Sequence, residues 1–372
     1  MNAAKRIAWI TTGFPENENH SEGAAFLHEL ARELSSEIDL TIFSLYSSKS
    51  QRKFYGAEVF AFGIGTPELS VMEKLGIWKT CKEKFKKEHL KKSFDLVHSM
   101  WAGESGYVAS KLSKKFKLPL IVNVCGGELA EIKKINYGSR TKFWQKIFVN
   151  VSFKAAEKII YGSDFIRGKI EKYYDKKISY KLVKIPFGVD EKVFYPQPKS
   201  GNDKIILLNV AHGVPVKDHR TLFKAFKVVH EKIPNTELHC YGRNMDTLQK
   251  MIQNENLLSS VKLCGLIDHK EMSEVYTNAD IFVCSSLYES QNMSMLEATF
   301  CGLPIVSTNA GVAAEITEFI CEPGNYEMLA EKILEALRHS VSRKTFKTNP
   351  TLYKNFSLES SSREFLKLYL SL

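Results

Sequence analysis

Short apolar strands alternate with amphipathic helices along nearly the whole chain, and the alternation breaks once, near the middle. Strands are expected at Arg6 to Thr11, Leu40 to Leu45, Leu96 to Ser99, Leu120 to Val124 and Lys158 to Tyr161. A second run follows at Ile205 to Val210, Glu237 to Tyr241, Val261 to Leu263, Ile281 to Cys284 and Pro304 to Ser307. Strands separated by helical stretches predict doubly wound parallel sheets, an α/β architecture. Between the runs, the stretch from Pro186 to Asn202 carries three prolines and two glycines and keeps neither period, as a connector does. The 372 residues, 44% hydrophobic, are too many for one compact core, so two domains are expected, 1–195 and 196–355, with a C-terminal helix at about 356–372.

The seven cysteines are scattered and none stands in a Cys-x-x-Cys pair, which argues against a zinc site or a disulfide framework and fits a reducing cytoplasm. The chain enters a strand at Arg6, and no stretch approaches the roughly 18 apolar residues of a membrane span, so neither secretion nor membrane insertion is expected. Charge is uneven: 33 Lys and Arg face 22 Asp and Glu up to Pro196, against 19 and 20 beyond it. A basic half suits nucleic acid, an anionic membrane surface or a phosphorylated substrate. From Glu73 to Lys92, Leu75, Trp78, Cys81, Phe85 and Leu90 share a helical face amid eight lysines, and Arg140 to Phe148 repeats the basic-aromatic texture. Such a helix lies on an anionic bilayer or packs its stripe on its own domain; peripheral membrane docking is slightly preferred. The basic segments match no nucleic-acid recognition motif, so nucleic acid is not an expected partner.

The densest signal is the stretch from Tyr288 to Pro304, where an apolar strand passes through a polar loop into a helix beginning near Ser294. First-turn amides and the helix dipole there favour an anion such as a nucleotide diphosphate. Glu297, about one turn into the helix, is within reach of ribose hydroxyls, and Glu289 on the loop within reach of a sugar beyond the phosphates. For Glu297 by itself, a carboxylate that merely complements the helix dipole explains as much.

This spacing, with the Cys301-Gly-Leu-Pro-Ile-Val306 tail and Gly311-Val-Ala-Ala-Glu-Ile316, resembles the retaining GT-B glycosyltransferases of family four, the glycosyl transferases group one. The likeness extends through Phe14-Pro15, Gly23, Phe94-Asp-Leu-Val-His98, Ile185-Pro-Phe-Gly-Val-Asp190, Lys217-Asp218 and Asn278-Ala-Asp-Ile-Phe-Val283. It implies the GT-B fold: two Rossmann-like domains facing across a cleft, the last helix crossing back to the first. It also implies a donor site of Lys217, Asn292, Met293, Ser294, Glu297, Gly23 and Leu266, the last shaping the base pocket beside the Gly242 and Gly265 turns. His212 stands where the family pattern has an arginine, which leaves a weaker clamp on the diphosphate. On the acceptor side lie Cys125, Gly126 and Glu128, with Cys125 replacing the usual histidine, so a proton relay through an imidazole is in question there.

The resemblance implies a retaining transfer in which Glu289, Lys217 and Glu128 carry catalysis by positioning and leaving-group stabilisation rather than through a nucleophile. No Asp-x-Asp occurs, so no metal and no cofactor is expected beyond the nucleotide sugar itself. The expected reaction moves a sugar from a nucleotide-diphosphate donor, UDP ahead of GDP, to a glycan or lipid-linked glycan in cell-surface polysaccharide or lipopolysaccharide synthesis. The expected place is the cytoplasm, peripheral on the inner membrane. Two alternatives stay open: a GT-B sugar-nucleotide epimerase, and a catalytically silent module binding nucleotide sugars or glycans.

Overall fold

The computed structural model describes residues 4–18, 25–64, 69–199, 201, 203–342 and 350–372. It divides into two compact units, Met1–Gly162 with Ile166–Gly188 and Leu358–Leu372, and Ser163–Phe165 with Val189–Ser357. The first unit holds β1 (Arg6–Thr11), β2 (Asp39–Ser48), β3 (Ser50–Phe54), β4 (Ala57–Gly63), β5 (Leu96–Ser99), β6 (Leu120–Val124), β7 (Lys158–Tyr161) and β8 (Leu182–Lys184). They form one sheet in the order β3-β4-β2-β1-β5-β6-β7-β8, parallel except for the β3–β4 pair. The helices along this stretch are α1 (Ala25–Leu34), α2 (Val71–Lys91), α3 (Glu104–Phe116), α4 (Phe143–Ala155) and α5 (Asp164–Tyr173).

The second unit holds β9 (Ile205–Val210), β10 (Thr236–Tyr241), β11 (Val261–Gly265), β12 (Ile281–Cys284), β13 (Ile305–Thr308) and β14 (Ile320–Cys321). All six are parallel, in the order β11-β10-β9-β12-β13-β14. Its helices are α6 (His219–Lys232), α7 (Gln249–Asn254), α8 (Met272–Asn278), α9 (Met293–Phe300), α10 (Ala313–Ile316), α11 (Tyr326–Ser342) and α12 (Pro350–Phe356). Because side chains alternate along a strand, β9 feeds two cores. Leu207 packs with Phe223, Phe226 and Ile333 on one face, while Ile206 and Leu208 pack with Tyr276, Leu296 and Phe300 on the other. Burial on both faces is why these strands read as unbroken apolar runs.

In three places the structure departs from the sequence expectation. The division falls between Gly188 and Val189, not at Pro196, because Val189 and Phe194 are buried in the second unit's core and Val189 donates its amide to Phe356 O at 2.8 Å. The strand expected at Leu40 to Leu45 runs on to Ser48 as the end of β2, and Ser50–Phe54 adds a hairpin strand. Tyr55 and Gly56 turn it at φ 45° and 91°, the left-handed pair that matches strand twist. The aromatic stripe of α2 does not lie free for a bilayer: Trp78, Cys81 and Phe85 are buried, and Phe85 packs on the rings of Phe43, Phe94 and Phe116. Covering β2 and β4 takes the middle of the apolar face, while Leu75 and Leu90 of the stripe stay exposed with the lysines, Glu73 and Glu83. Its start is set by Ser70, whose hydroxyl caps the Glu73 amide while Glu73 returns a bond to the Ser70 amide.

The C-terminal helix, Leu358–Ser371, belongs to the first unit. Tyr369 at its end is fully buried beside Trp9 and His98. Trp9 Nε1–H donates to the Tyr369 hydroxyl at 2.9 Å, and that hydroxyl meets His98 Nδ1 at 2.7 Å. His98 Nε2 meets Asn123 Oδ1 at 2.8 Å. With indole able only to donate, the tyrosine proton goes to Nδ1 and the Nε2 proton to Asn123, which requires a neutral ring. Burial pushes the His98 pKa down to about 4. The folded pKa lies below the unfolded value near 6.5, so this contribution to stability is complete above 6.5 and is lost as the pH falls toward 4. Urea unfolding between pH 7 and pH 5 is expected to show about 2 kcal/mol of destabilisation from this group. A His98→Gln variant should lose that part of the slope; an unchanged slope would remove the neutral ring from the account.

Candidate functional site

The strand order reverses direction in the second sheet between β9 and β12, which pair Ile281 with Leu207 and Phe282 with Leu208 but lead away to opposite sides. Loops leaving the carboxyl ends of two such strands part and leave a crevice in which ligands bind. Here the loop after β9 carries His212 to Lys217, and the loop after β12 carries Glu289 to Asn292. Two bonds clamp them: Leu287 N–H to Val216 O at 2.8 Å and Ser285 Oγ–H to Lys217 O at 2.8 Å.

Lys217, Glu289 and Asn292 converge on one point. Lys217 Nζ donates to Glu289 Oε1 at 2.7 Å, Ser286 Oγ donates to the same oxygen at 2.7 Å, and Asn292 Nδ2 lies 3.3 Å from it. Glu289 is buried and Lys217 partly so, leaving an ammonium at the mouth of the crevice. Asn292 also caps α9, its Oδ1 accepting from Met295 N–H at 3.0 Å, with its own φ at 78°. The helix amides of Met293 and Ser294 have no intrahelical acceptor and add positive potential beside Lys217. Gly311, at φ 62°, lets the loop after β13 close on this one: a Cβ there would stand 2.5 Å from Gln291 O and 2.9 Å from Glu289 Cβ. Glycine is therefore required by space as well as by φ.

Glu297 is buried one turn into α9, and both of its oxygens are taken: His269 Nε2 donates at 2.9 Å and the Tyr276 hydroxyl at 2.8 Å. Burial and the adjacent carboxylate push the Tyr276 pKa well up, so the phenol keeps its proton and remains the donor. A ribose reaching Glu297 shares it with these two groups. Neither His269 nor Tyr276 stands in a recognisable motif; only the fold brings them to α9.

His212 accepts the Arg243 amide on Nδ1 at 3.1 Å, and Gly213 N–H returns a bond to Arg243 O at 2.8 Å. Since a backbone amide can only donate, neutral His212 carries its proton on Nε2 and offers one N–H. Partial burial, then the charges of Lys217 and Arg243, hold its pKa below the ordinary range. Arg243, which sequence reasoning passed over, thereby joins His212 at the ends of β9 and β10. Leu266 is half exposed after Gly265, whose φ is 71°. Gly23 lies outside the described residues.

In the first unit the order reverses between β1 and β5, and a pocket of about 400 Å³ lies there, lined among others by Thr12, Trp101, Glu104, Gly126, Glu128 and Lys142. Glu128 is buried beneath its own loop, accepting from Ala102 N–H at 3.2 Å, Cys125 N–H at 3.3 Å and Gly126 N–H at 2.7 Å. Burial raises its pKa, opposed by those amides. Burial and Glu128 push the Cys125 thiol up, so it stays protonated. Glu104 collects Tyr46 and Lys74 from one side and Gln145 from the other. Among the described residues no group of His, Cys, Asp and Glu is placed to hold a metal ion.

A sheet in the order 3-2-1-4-5-6, with a cation and a helix N-terminus at its switch point, defines a Rossmann-like domain. Residues 191–351, most of the second unit, match the family described as glycosyl transferases group 1. The chain as a whole has the GT-B fold. It is 27% identical over 284 residues to an uncharacterized glycosyltransferase of Methanocaldococcus jannaschii, covering 74% of this chain and 75% of that one. It is 23% identical over 308 residues to the alpha-monoglucosyldiacylglycerol synthase of Acholeplasma laidlawii, covering 74% and 73%. The solved structure of Anabaena HepE in complex with UDP-glucose superposes with a TM-score of 0.76 at 16% identity, over 99% of this chain and 100% of that one.

Asn292 has two separable roles, cap and left-handed backbone. Asn292→Gly keeps the φ and is expected to cost less than about 1 kcal/mol, whereas Asn292→Ala loses both and should cost about 2 kcal/mol in chemical unfolding. Equal costs would show that the φ is not strained.

Proposed function

We propose that the protein is a retaining, metal-independent glycosyltransferase that moves a sugar from a nucleoside diphosphate, UDP ahead of GDP, to a glycan or lipid-linked glycan in cell-surface polysaccharide synthesis. The convergence of Lys217, Glu289 and Asn292 under the α9 N-terminus carries this reading. The departing diphosphate gains negative charge, and the Lys217 ammonium with the Met293 and Ser294 amides supplies fixed positive potential where that charge grows. Glu289, freed from Lys217 as the diphosphate takes the ammonium, accepts hydroxyls of the transferred sugar. Glu297 holds the ribose, and His212 offers its Nε2–H to a phosphate oxygen. Leu266 and the Gly242 and Gly265 turns border the base, and uridine is the first base to test because the solved relative HepE holds UDP-glucose. The first-unit pocket around Gly126, Cys125 and Glu128 receives the acceptor, Glu128 acting by bracing that loop. Place and partners follow as peripheral attachment to the cytoplasmic face of the inner membrane.

One observation favours a second reading, a silent nucleotide-sugar-binding module: Glu297 is already engaged by His269 and Tyr276. A panel of UDP- and GDP-sugars separates the two. Wild type is expected to bind one member and cleave it slowly. Glu297→Ala should weaken that binding about tenfold, and Lys217→Ala should lower cleavage about a hundredfold. Binding without cleavage would establish the silent module, and no binding to any member would end both readings.

A further inference from the structure

The first turns of α2 and α4 meet at Glu104, where Lys74 Nζ of α2 at 2.9 Å and Gln145 Nε2 of α4 at 3.0 Å share the same oxygen, Oε1. One turn deeper, Trp78 of α2 packs edge-on against Phe148 of α4 with centroids 5.5 Å apart. The two helix starts therefore form a single surface. On it stand Val71, Met72 and Leu75 from α2 and Phe143 and Trp144 from α4, with exposures of 73%, 77%, 48%, 71% and 67%. Single exposed apolar residues need no explanation, but a contiguous group of this size is costly in water and marks an interaction surface.

Its borders are basic. Lys142 precedes Phe143, Lys146 follows it by one turn, and Lys79 follows Leu75 by one turn, all three exposed. Phe143 and Trp144 sit edge to face with centroids 5.4 Å apart. Aromatic rings with flanking lysines suit the headgroup layer of an anionic bilayer: the rings enter the boundary of the acyl chains and the ammonium groups meet lipid phosphates. One exposed carboxylate, Glu73, stands among these lysines, so the balance of the border is positive.

We propose that this face, formed by Val71, Met72, Leu75, Phe143 and Trp144, docks on the anionic surface of a phospholipid bilayer. The surface adjoins the first-unit pocket, since Glu104, Lys142 and Gln145 belong to both. Docking therefore brings the pocket to the bilayer, and the acceptor entering it is a lipid-linked one. That last step rests on the transferase reading; the docking does not. The stripe of α2 buried against the sheet takes no part, so the helix meets the membrane by its first turn and not along its length.

Flotation with phosphatidylcholine vesicles, with and without phosphatidylglycerol, tests it, alongside UDP-glucose binding in the same samples. Of the tryptophans, Trp9 and Trp78 are buried, so a blue shift on vesicle addition that disappears in Trp144→Phe reports Trp144 entering lipid. Wild type should bind the anionic vesicles at least about tenfold more tightly than the neutral ones. Phe143→Ser with Trp144→Ser, and separately Lys79→Glu with Lys146→Glu, should each reduce anionic-vesicle binding by about tenfold or more while the thermal unfolding midpoint and nucleotide-sugar binding hold. Absence of vesicle binding by wild type, or binding untouched by the aromatic pair, would overturn the proposal. So would a concentration-dependent dimer that the aromatic pair abolishes, which would assign the face to a second copy of the chain. Loss of sugar-nucleotide binding with docking intact would strike the transferase reading alone.

Discussion

The pairing of β9 with β12 is the constraint on which the second unit's chemistry depends. The two strands lie more than sixty residues apart in sequence, yet they are neighbours in the sheet, and the chain leaves them toward opposite faces. The two loops that leave their carboxyl ends are held by each other, through Leu287 to Val216 and Ser285 to Lys217. That mutual support leaves Lys217 beside Glu289. A buried carboxylate without a cation would be costly, and an unpaired lysine would stay with water. Together they form a neutral pair.

The acidic residues of the two units are stabilised by different means. Glu289 has a cation and a hydroxyl, Glu297 an imidazole and a phenol, and Glu128 three backbone amides with no cation. The difference matters for function. A carboxylate paired with a lysine can exchange partners when a ligand arrives, whereas one held by the amides of Cys125 and Gly126 in its own loop and of Ala102 after β5 ties those two loops together. Glu128 thus acts on the pocket through the backbone around Gly126, while Glu289 is positioned to touch a ligand directly.

The two switch points divide the labour of surface chemistry as well. The second unit offers positive potential from a helix start and a lysine, suited to an anion. In the first unit, the pocket borders a surface where burial of the α2 stripe against the sheet leaves the first turn unsupported and exposed.

Much of this was readable in the residues. The alternation of strands and helices and the helix start after Asn292 follow from local pattern, because strand burial, capping and helix periodicity act over a few residues; that Lys217 meets Glu289, 72 residues on, does not. The strands β3, β4, β8 and β14 were not among those expected: β3, β8 and β14 are short and become strands by pairing with a neighbour, whereas β4 was missed although it runs for seven residues. Nor could sequence tell that the α2 stripe is consumed by Phe43, Phe94 and Phe116, or that His269 and Tyr276 hold Glu297, or that Arg243 backs His212. The sequence by itself determined which segments become strands and helices and which residue types stand at their ends. Only the tertiary structure decided which of those ends meet, because contacts between residues far apart in the chain depend on sheet order and on the faces that packing leaves open.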